Sequence, residues 1–155
     1  MKIGLGQDSH RFDPSESKEL ILGGVVVECG KSFSANSDGD VVLHALTNAI
    51  SGITCVNILG KIADEMCLER GISDSSEYVK EALKYMNGMK IVNVSFSIEC
   101  AIPKITPIIP KMRENIAKLL NIQKDCVGIT ATTGEMLTEF GKGEGVQVFC
   151  IALAE

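Results

Sequence analysis

The chain has 155 residues, a length that sets the expectation of one domain, residues 1–155, with a core large enough to need no covalent staple. A net charge of −5 and the lack of any long Lys/Arg run argue against nucleic acid and anionic membrane as partners, and no apolar stretch approaches the roughly 20 residues of a transmembrane helix. Six cysteines, Cys29, Cys55, Cys67, Cys100, Cys126 and Cys150, form no Cys-x-x-Cys pair and read as small buried hydrophobes in a reducing compartment; Met1 runs straight into a strand pattern, so the expected location is cytoplasmic.

Lys2 to Phe12 alternates Ile3 and Leu5 with Gly4 and Gly6, the pattern of a strand in a crowded sheet, and ends in the polar run Gln7-Asp8-Ser9-His10. After Pro14 and Ser15, Leu20 to Val27 reads as a hairpin turning at Gly23-Gly24. Ser37-Asp38-Gly39-Asp40 precedes apolar residues at 42, 43, 46, 49, 50 and 53, which predicts a helix with Ser37 and Asp40 as a capping box, ended by Ser51-Gly52 and the stretch from Asn57 to Gly60. Residues 61–73 have mixed periodicity and read as loop with short helical pieces. Asp74-Ser75-Ser76-Glu77 opens a second helix that stops at Asn87-Gly88.

Val92, Val94, Phe96 and Ile98 alternate with polar residues, as in a strand buried on one face. Thr106-Pro107 fits the cap and first position of a third helix, with Ile109, Met112, Ile116, Leu119 and Leu120 as its buried stripe. Val127 to Thr132 and Val146 to Leu153 are strands joined by a glycine-rich connection. Strands and helices interleave without a strict βαβ repeat, so the expected class is α+β, a two-layer sandwich of a mixed β-sheet with helices on one face.

His10 and His44 are the only histidines in the chain. Alternation along a strand puts Asp8 and His10 on the same face, and with His44 one turn into the first helix they supply two imidazoles and a carboxylate, the ligand set of a zinc that keeps one position open. Such an ion can polarise a phosphoryl oxygen. Asp38 and Asp40 read as helix caps or as orienters of the ligands. A second set, Thr132-Thr133-Gly134-Glu135 with Lys142, offers hydroxyls, glycine-adjacent N–H groups and a cation to a diphosphate, and a carboxylate to its Mg²⁺. Solvated charges on a glycine-rich connection would look the same. A third, Ile102-Pro103-Lys104, is a proline-fixed turn able to present backbone groups to a base edge.

These motifs recur in one order across the chain. Ile3-Gly4-x-Gly6-x-Asp8-x-His10, the block from Ser37 to Thr47, Pro103-Lys104, Ile109-Pro110-x-Met112-Arg113, Ala131-Thr132-Thr133-x-Glu135 and Gly141-x-Gly143-Glu144-Gly145 together resemble the 2-C-methyl-D-erythritol 2,4-cyclodiphosphate synthase family. The resemblance implies a homotrimer with active sites between adjacent subunits. It implies Zn²⁺ on Asp8, His10 and His44, and Mg²⁺ or Mn²⁺ on Glu135 with the substrate diphosphate. Thr132 and Thr133 match phosphate-site positions, Thr133 a transition-state position, and Cys100, Ala101, Ile102, Pro103 and Lys104, on to Thr106, match the cytosine pocket. Ser9, Ser37 and Gly60 fall at substrate positions. The implied reaction closes the 2-phosphate of 4-diphosphocytidyl-2-C-methyl-D-erythritol 2-phosphate onto its β-phosphorus and expels CMP.

Departures from the family pattern concentrate around the sugar and the transition state. Asn36 stands where the family has a His, able to donate a hydrogen bond but not to carry charge. Ile58 replaces a carboxylate that pairs with ribose hydroxyls, a loss on the order of 1–3 kcal/mol. Asn48 replaces a common Asp, Lys142 a usual Arg, Glu139-Phe140 a Phe-Thr pair, and Lys61-Ile62-Ala63-Asp64-Glu65 covers the usual Phe-Pro-Asp. Two rival readings follow: a relative acting on another nucleotide-diphosphate substrate, and a non-catalytic trimer that binds a metal or an isoprenoid.

Overall fold

The computed structural model describes residues 1–15 and 18–155. In chain order its main elements are β1 (Lys2–Arg11), β2 (Leu20–Leu22), β3 (Val25–Val27), α1 (Val41–Thr54), α2 (Lys61–Asp64), α3 (Ser75–Leu83), β4 (Ile91–Glu99), α4 (Ile109–Leu120), β5 (Val127–Thr132) and β6 (Gly145–Ala154). Four strands form a mixed sheet in the order β1-β6-β4-β5, with β6 antiparallel to both neighbours and β5 parallel to β4. The strands β1, β4 and β5 therefore point the same way, and their C-terminal ends share one end of the sheet.

The alternation at the start of β1 has a steric cause. Helix α1 lies directly on the strand: a Cβ at Gly4 would fall 1.9 Å from the Ala49 carbonyl oxygen, and one at Gly6 2.0 Å from that of Ala45. Gly52 faces the same strand, where an added Cβ would meet the Gly4 Cα at 3.5 Å, and is carried inside the helix, which continues to Thr54 and ends on Cys55 at φ 60°. Ser51-Gly52 thus lies within the helix and does not end it. Ile3 and Leu5 point to the other face, where they are 68% and 64% exposed beside Phe149 and Ile151 of β6 at 43% and 50%.

The second layer is α1 over β1 and β6, α3 against α1, and α4 over β5 and toward the hairpin. The hairpin turns at Gly23-Gly24, both at positive φ as a tight two-residue turn requires. Residues 61–73 hold α2 and one wider helical turn, Glu65–Glu69, as the mixed periodicity implied.

Several expectations are corrected. The cap of α1 is Asp40, not Ser37: Ser37 accepts the Gly39 N–H and Asp38 the Asp40 N–H, so each closes its own turn first. The alternation of β4 slips at Val92, which is bulged out of register between Ile91 and Asn93 and is only half-buried. Thr106 makes no side-chain cap; one turn of 3₁₀ helix, Thr106–Ile108, precedes α4. The stripe of α4 is Met112, Ile116, Ala117 and Leu120, with Ile109 and Leu119 at its margin. Of the cysteines only Cys100 and Cys150 are buried, because Cys29 falls in a loop, Cys55 and Cys126 at helix ends and Cys67 on a partly exposed helical turn; all six are free. Among the described residues, no helix is long and apolar enough to cross a membrane.

Replacing Gly6 by Ala pushes a methyl into the backbone of α1, which cannot yield as a flexible side chain would. A loss of about 1–3 kcal/mol or more is expected, read as a lower urea midpoint at unchanged slope.

Candidate metal centre

Along the α1 face of β1 the residues are Gly4, Gly6, Asp8 and His10. Where the strand passes the start of α1 the glycines give way to side chains, and the space they enter is shared with His44, one turn into the helix. Asp8 Oδ2 lies 3.0 Å from His44 Nδ1, His10 Nε2 lies 3.1 Å from the same nitrogen, and His10 Nε2 is 3.5 Å from Asp8 Oδ2. The three ligand atoms fall within 4.8 Å of one another. Burial pulls the His10 imidazole below its ordinary value, with Asp8 opposing and His44 adding to the fall. Neutral rings and one carboxylate are what a zinc ion requires, so the donor set fits that metal.

The helix start is fixed by Asp40, a fully buried carboxylate. It accepts the N–H groups of Val42 and Leu43 at 3.1 Å as the α1 cap, and those of Gly23 and Gly24 at 2.8 and 2.7 Å, tying the hairpin to the helix. Burial pushes its carboxyl up to about 6, and the N–H groups of Gly24, Leu43 and Gly23 pull the other way. Asp38 turns the other way. It accepts the Ser75 N–H at 3.0 Å and the Ser75 hydroxyl, and Ser75 Oγ lies 2.9 Å from His44 Nε2.

The metal group opens into a cavity of about 280 Å³ whose wall also includes Asn36, Ser37, Gly60, Cys67 and Tyr78. Asn36 is exposed there, and its carbonyl accepts the Cys67 thiol at 3.6 Å. Ile58 is elsewhere: it is fully buried in the core, with its N–H 3.4 Å from Ser51 Oγ, and Leu59 and Gly60 take its place along the cavity. Asn48 lies on α1 and donates to the Gln7 carbonyl. Ser9 faces away from α1, into a second cavity with Arg11, Glu139 and Glu144 whose wall His10 also joins.

The remaining candidates cluster at the C-terminal ends of β4 and β5. The Cys100 N–H bonds the Thr132 carbonyl, the Ala101 N–H bonds that of Phe140, and the Cys100 thiol, pushed up to about 12 by burial, points at the Pro103 carbonyl. The Ile102-Pro103 peptide is cis. The Thr132 and Thr133 hydroxyls accept the N–H groups of Gly134 and Glu135; Glu135 and Lys104 are exposed, and Lys142 pairs with Glu139 at 2.7 Å. Thr132 to Glu135 follow the β5 edge and the metal group follows β1, at the same end of the sheet with β6 and β4 between them, while the connection that carries Glu139 and Lys142 runs back to β1, where Glu139 and Phe140 line a cavity with His10.

Sequence reasoning missed Ser75, Cys67 and Tyr78. Ser75 carried a signal: with Asp74 capping α3 through the Ser76 N–H, its hydroxyl has no local task.

The mixed sheet with helices packed on it and the Asp-His-His group where a strand end meets a helix start make this an α+β protein with a candidate metal centre, and the chain belongs to one family. That is the YgbB family, matched over residues 1–155. The chain is 51% identical over 152 residues to 2-C-methyl-D-erythritol 2,4-cyclodiphosphate synthase of Chlamydia muridarum, covering 97% of this chain and 85% of that one. The enzyme of the same name from Chlamydia caviae is 50% identical over 97% of this chain and 86% of its own. A solved CDP-bound 2C-methyl-D-erythritol-2,4-cyclodiphosphate synthase superposes with a TM-score of 0.88 at 26% identity, over 99% of this chain and 100% of that one. The bifunctional IspDF from Campylobacter jejuni gives 0.87 at 30% identity over 97% of this chain and 41% of that longer one.

Removing the Asp40 carboxylate strands N–H donors from two elements in a buried place. Asp40→Ala is expected to cost at least about 3 kcal/mol in chemical denaturation.

Proposed function

We propose that Asp8, His10 and His44 hold Zn²⁺, that Glu135 contacts Mg²⁺ or Mn²⁺ on the substrate diphosphate, and that the site is completed between copies of the chain. The activity is that of a 2-C-methyl-D-erythritol 2,4-cyclodiphosphate synthase, a CMP-releasing lyase of the non-mevalonate isoprenoid pathway. The observation that carries the metal reading is the convergence of one carboxylate and two imidazoles on a single point. A zinc ion held there would act as a Lewis acid on a phosphoryl oxygen.

In the reaction, an oxygen of the 2-phosphate attacks the β-phosphorus and the bond from that phosphorus to the bridging oxygen breaks, so CMP leaves with the α-phosphate. Nucleophile and electrophile belong to one molecule, so the chain's task is to fold the substrate into an in-line geometry and neutralise charge. The Thr132 and Thr133 hydroxyls and the N–H groups beside Gly134 serve the phosphates, and Lys104 adds a cation. The backbone from Cys100 to Thr106 suits a cytosine edge. Ser9, Ser37 and Gly60 border the remaining substrate. Asn36 offers an amide N–H to the transition state, and Lys142, paired with Glu139, adds a neutralised ion pair at the margin. Ile58, in the core, gives the ribose no carboxylate.

With β6 and β4 between them, the β5-edge residues Thr132, Thr133 and Glu135 and the metal group at β1 are about three strand spacings of roughly 4.8 Å apart, and pairing each set with its counterpart on a neighbouring copy brings both to one diphosphate. A head-to-tail ring sets the β1 edge of one copy beside the β5 edge of the next, and a ring of three also covers the apolar face made by Ile3, Leu5, Phe149 and Ile151. The six free thiols fit a cytoplasmic setting.

Purified protein with Mg²⁺ is expected to release CMP and the cyclic diphosphate, and His44→Ala to lose both turnover and bound zinc; zinc-loaded wild-type protein that fails to turn over would sink the reading. Mixing inactive His44→Ala with inactive Thr133→Val under subunit exchange should restore about a quarter of wild-type activity, since each mixed trimer contains one intact pair of half-sites. No recovery, with exchange shown by mass spectrometry, would place the whole site in one chain.

A further inference from the structure

Ser75 is fully buried at the first position of α3, yet its hydroxyl takes no part in capping that helix, which Asp74 caps. It stands between two groups. On one side, Ser75 Oγ lies 2.9 Å from His44 Nε2; on the other, it donates to Asp38 Oδ1. Asp38 is locked in turn, accepting the Ser75 N–H on Oδ2 and the Asp40 N–H on Oδ1, each at 3.0 Å.

The direction of these bonds follows from what His44 must do. Its Nδ1 faces Asp8 and His10, so a cation there needs the Nδ1 lone pair and the ring proton must sit on Nε2. A protonated Nε2 is a donor, and the side chain is 9% exposed, so the proton needs a protein acceptor. Ser75 Oγ is that acceptor, and its own proton is already committed to the Asp38 carboxylate. Ser37 Oγ, at 3.4 Å, is a poor substitute.

We infer that Ser75 is a positioning residue that relays the Asp38 carboxylate to His44, holding the ring proton on Nε2 and aiming Nδ1 at the metal. The relay rests on the metal reading given above. It differs from a direct carboxylate–histidine contact in having a hydroxyl between the two, so Asp38 reaches the ring only through Ser75. Losing an outer partner of a metal-bound histidine typically costs 10- to 100-fold in affinity.

The test is a zinc titration against a competing chelator on the full chain, with melting curves of the metal-free proteins beside it. Ser75→Ala keeps the backbone bond to Asp38, and metal-free it should melt within about 4 °C of wild type. Its zinc dissociation constant should rise roughly 10- to 100-fold. Ser75→Thr, which restores the hydroxyl, should recover most of that loss. Asp38→Asn should weaken zinc binding in the wild-type background and add nothing in the Ser75→Ala background, because the route is already cut. A Ser75→Ala constant within twofold of wild type overturns the relay and leaves the metal reading standing. So does an Asp38→Asn effect of equal size in both backgrounds. Wild-type protein that takes up no zinc overturns the metal reading and the relay with it.

Discussion

Backbone contact between β1 and α1 is the constraint on which the rest depends. With Gly4 and Gly6 facing carbonyl oxygens of the helix, strand and helix approach as closely as two elements can. That closeness sets the depth of the space at residues 8 and 10, where side chains reappear. A helix standing one side chain further off would carry His44 beyond reach of Asp8 and His10. The exposed Ile3 and Leu5 are the other face of the same arrangement: a strand that buries glycines must put its apolar residues elsewhere.

Much of this was legible in the sequence because it depends on local periods and on few residues of one kind. The order of elements follows from alternation in β1 and β4, helical spacing after Asp40, Ser75 and Pro107, and the Gly23-Gly24 turn. The metal group follows from two histidines and the parity of a strand. What was not legible depends on tertiary contact. Ser51-Gly52 looked like a helix end because glycine weakens helices, and nothing local says that this glycine lies against another. Val92 fits the period of its strand and is displaced by a bulge set by its partner strand. The cysteines show the limit of residue averages, since burial is a property of position.

Ile58 and Asn36, the two departures expected to bear on the sugar and the transition state, do not have equal weight in the fold. Ile58 is absorbed by the core, where an apolar side chain contributes to packing and a carboxylate would have needed partners. Ile58 therefore serves packing, and Leu59 and Gly60 are the residues of that segment that reach the cavity. Asn36 is different. It is exposed in the metal cavity, its carbonyl is held by Cys67, and its amide remains directed by a short loop between Phe33 and Gly39. An Asn there can donate a hydrogen bond but carries no charge.

Asp38 and Asp40 are two residues apart with the same functional group, and only their surroundings separate them. Asp40 is fully buried with N–H donors on both oxygens, all from backbone, so its charge is spent on joining the hairpin to α1. Asp38 also binds backbone, but it meets one side-chain proton, that of Ser75, and through it a histidine. A charge that ends on backbone amides can only fix the chain. One that ends on a hydroxyl can be passed to the next group. From sequence alone each acid could be read as a cap or as an orienter, and the difference is made by α3, a helix some 35 residues further on whose first residue supplies that hydroxyl.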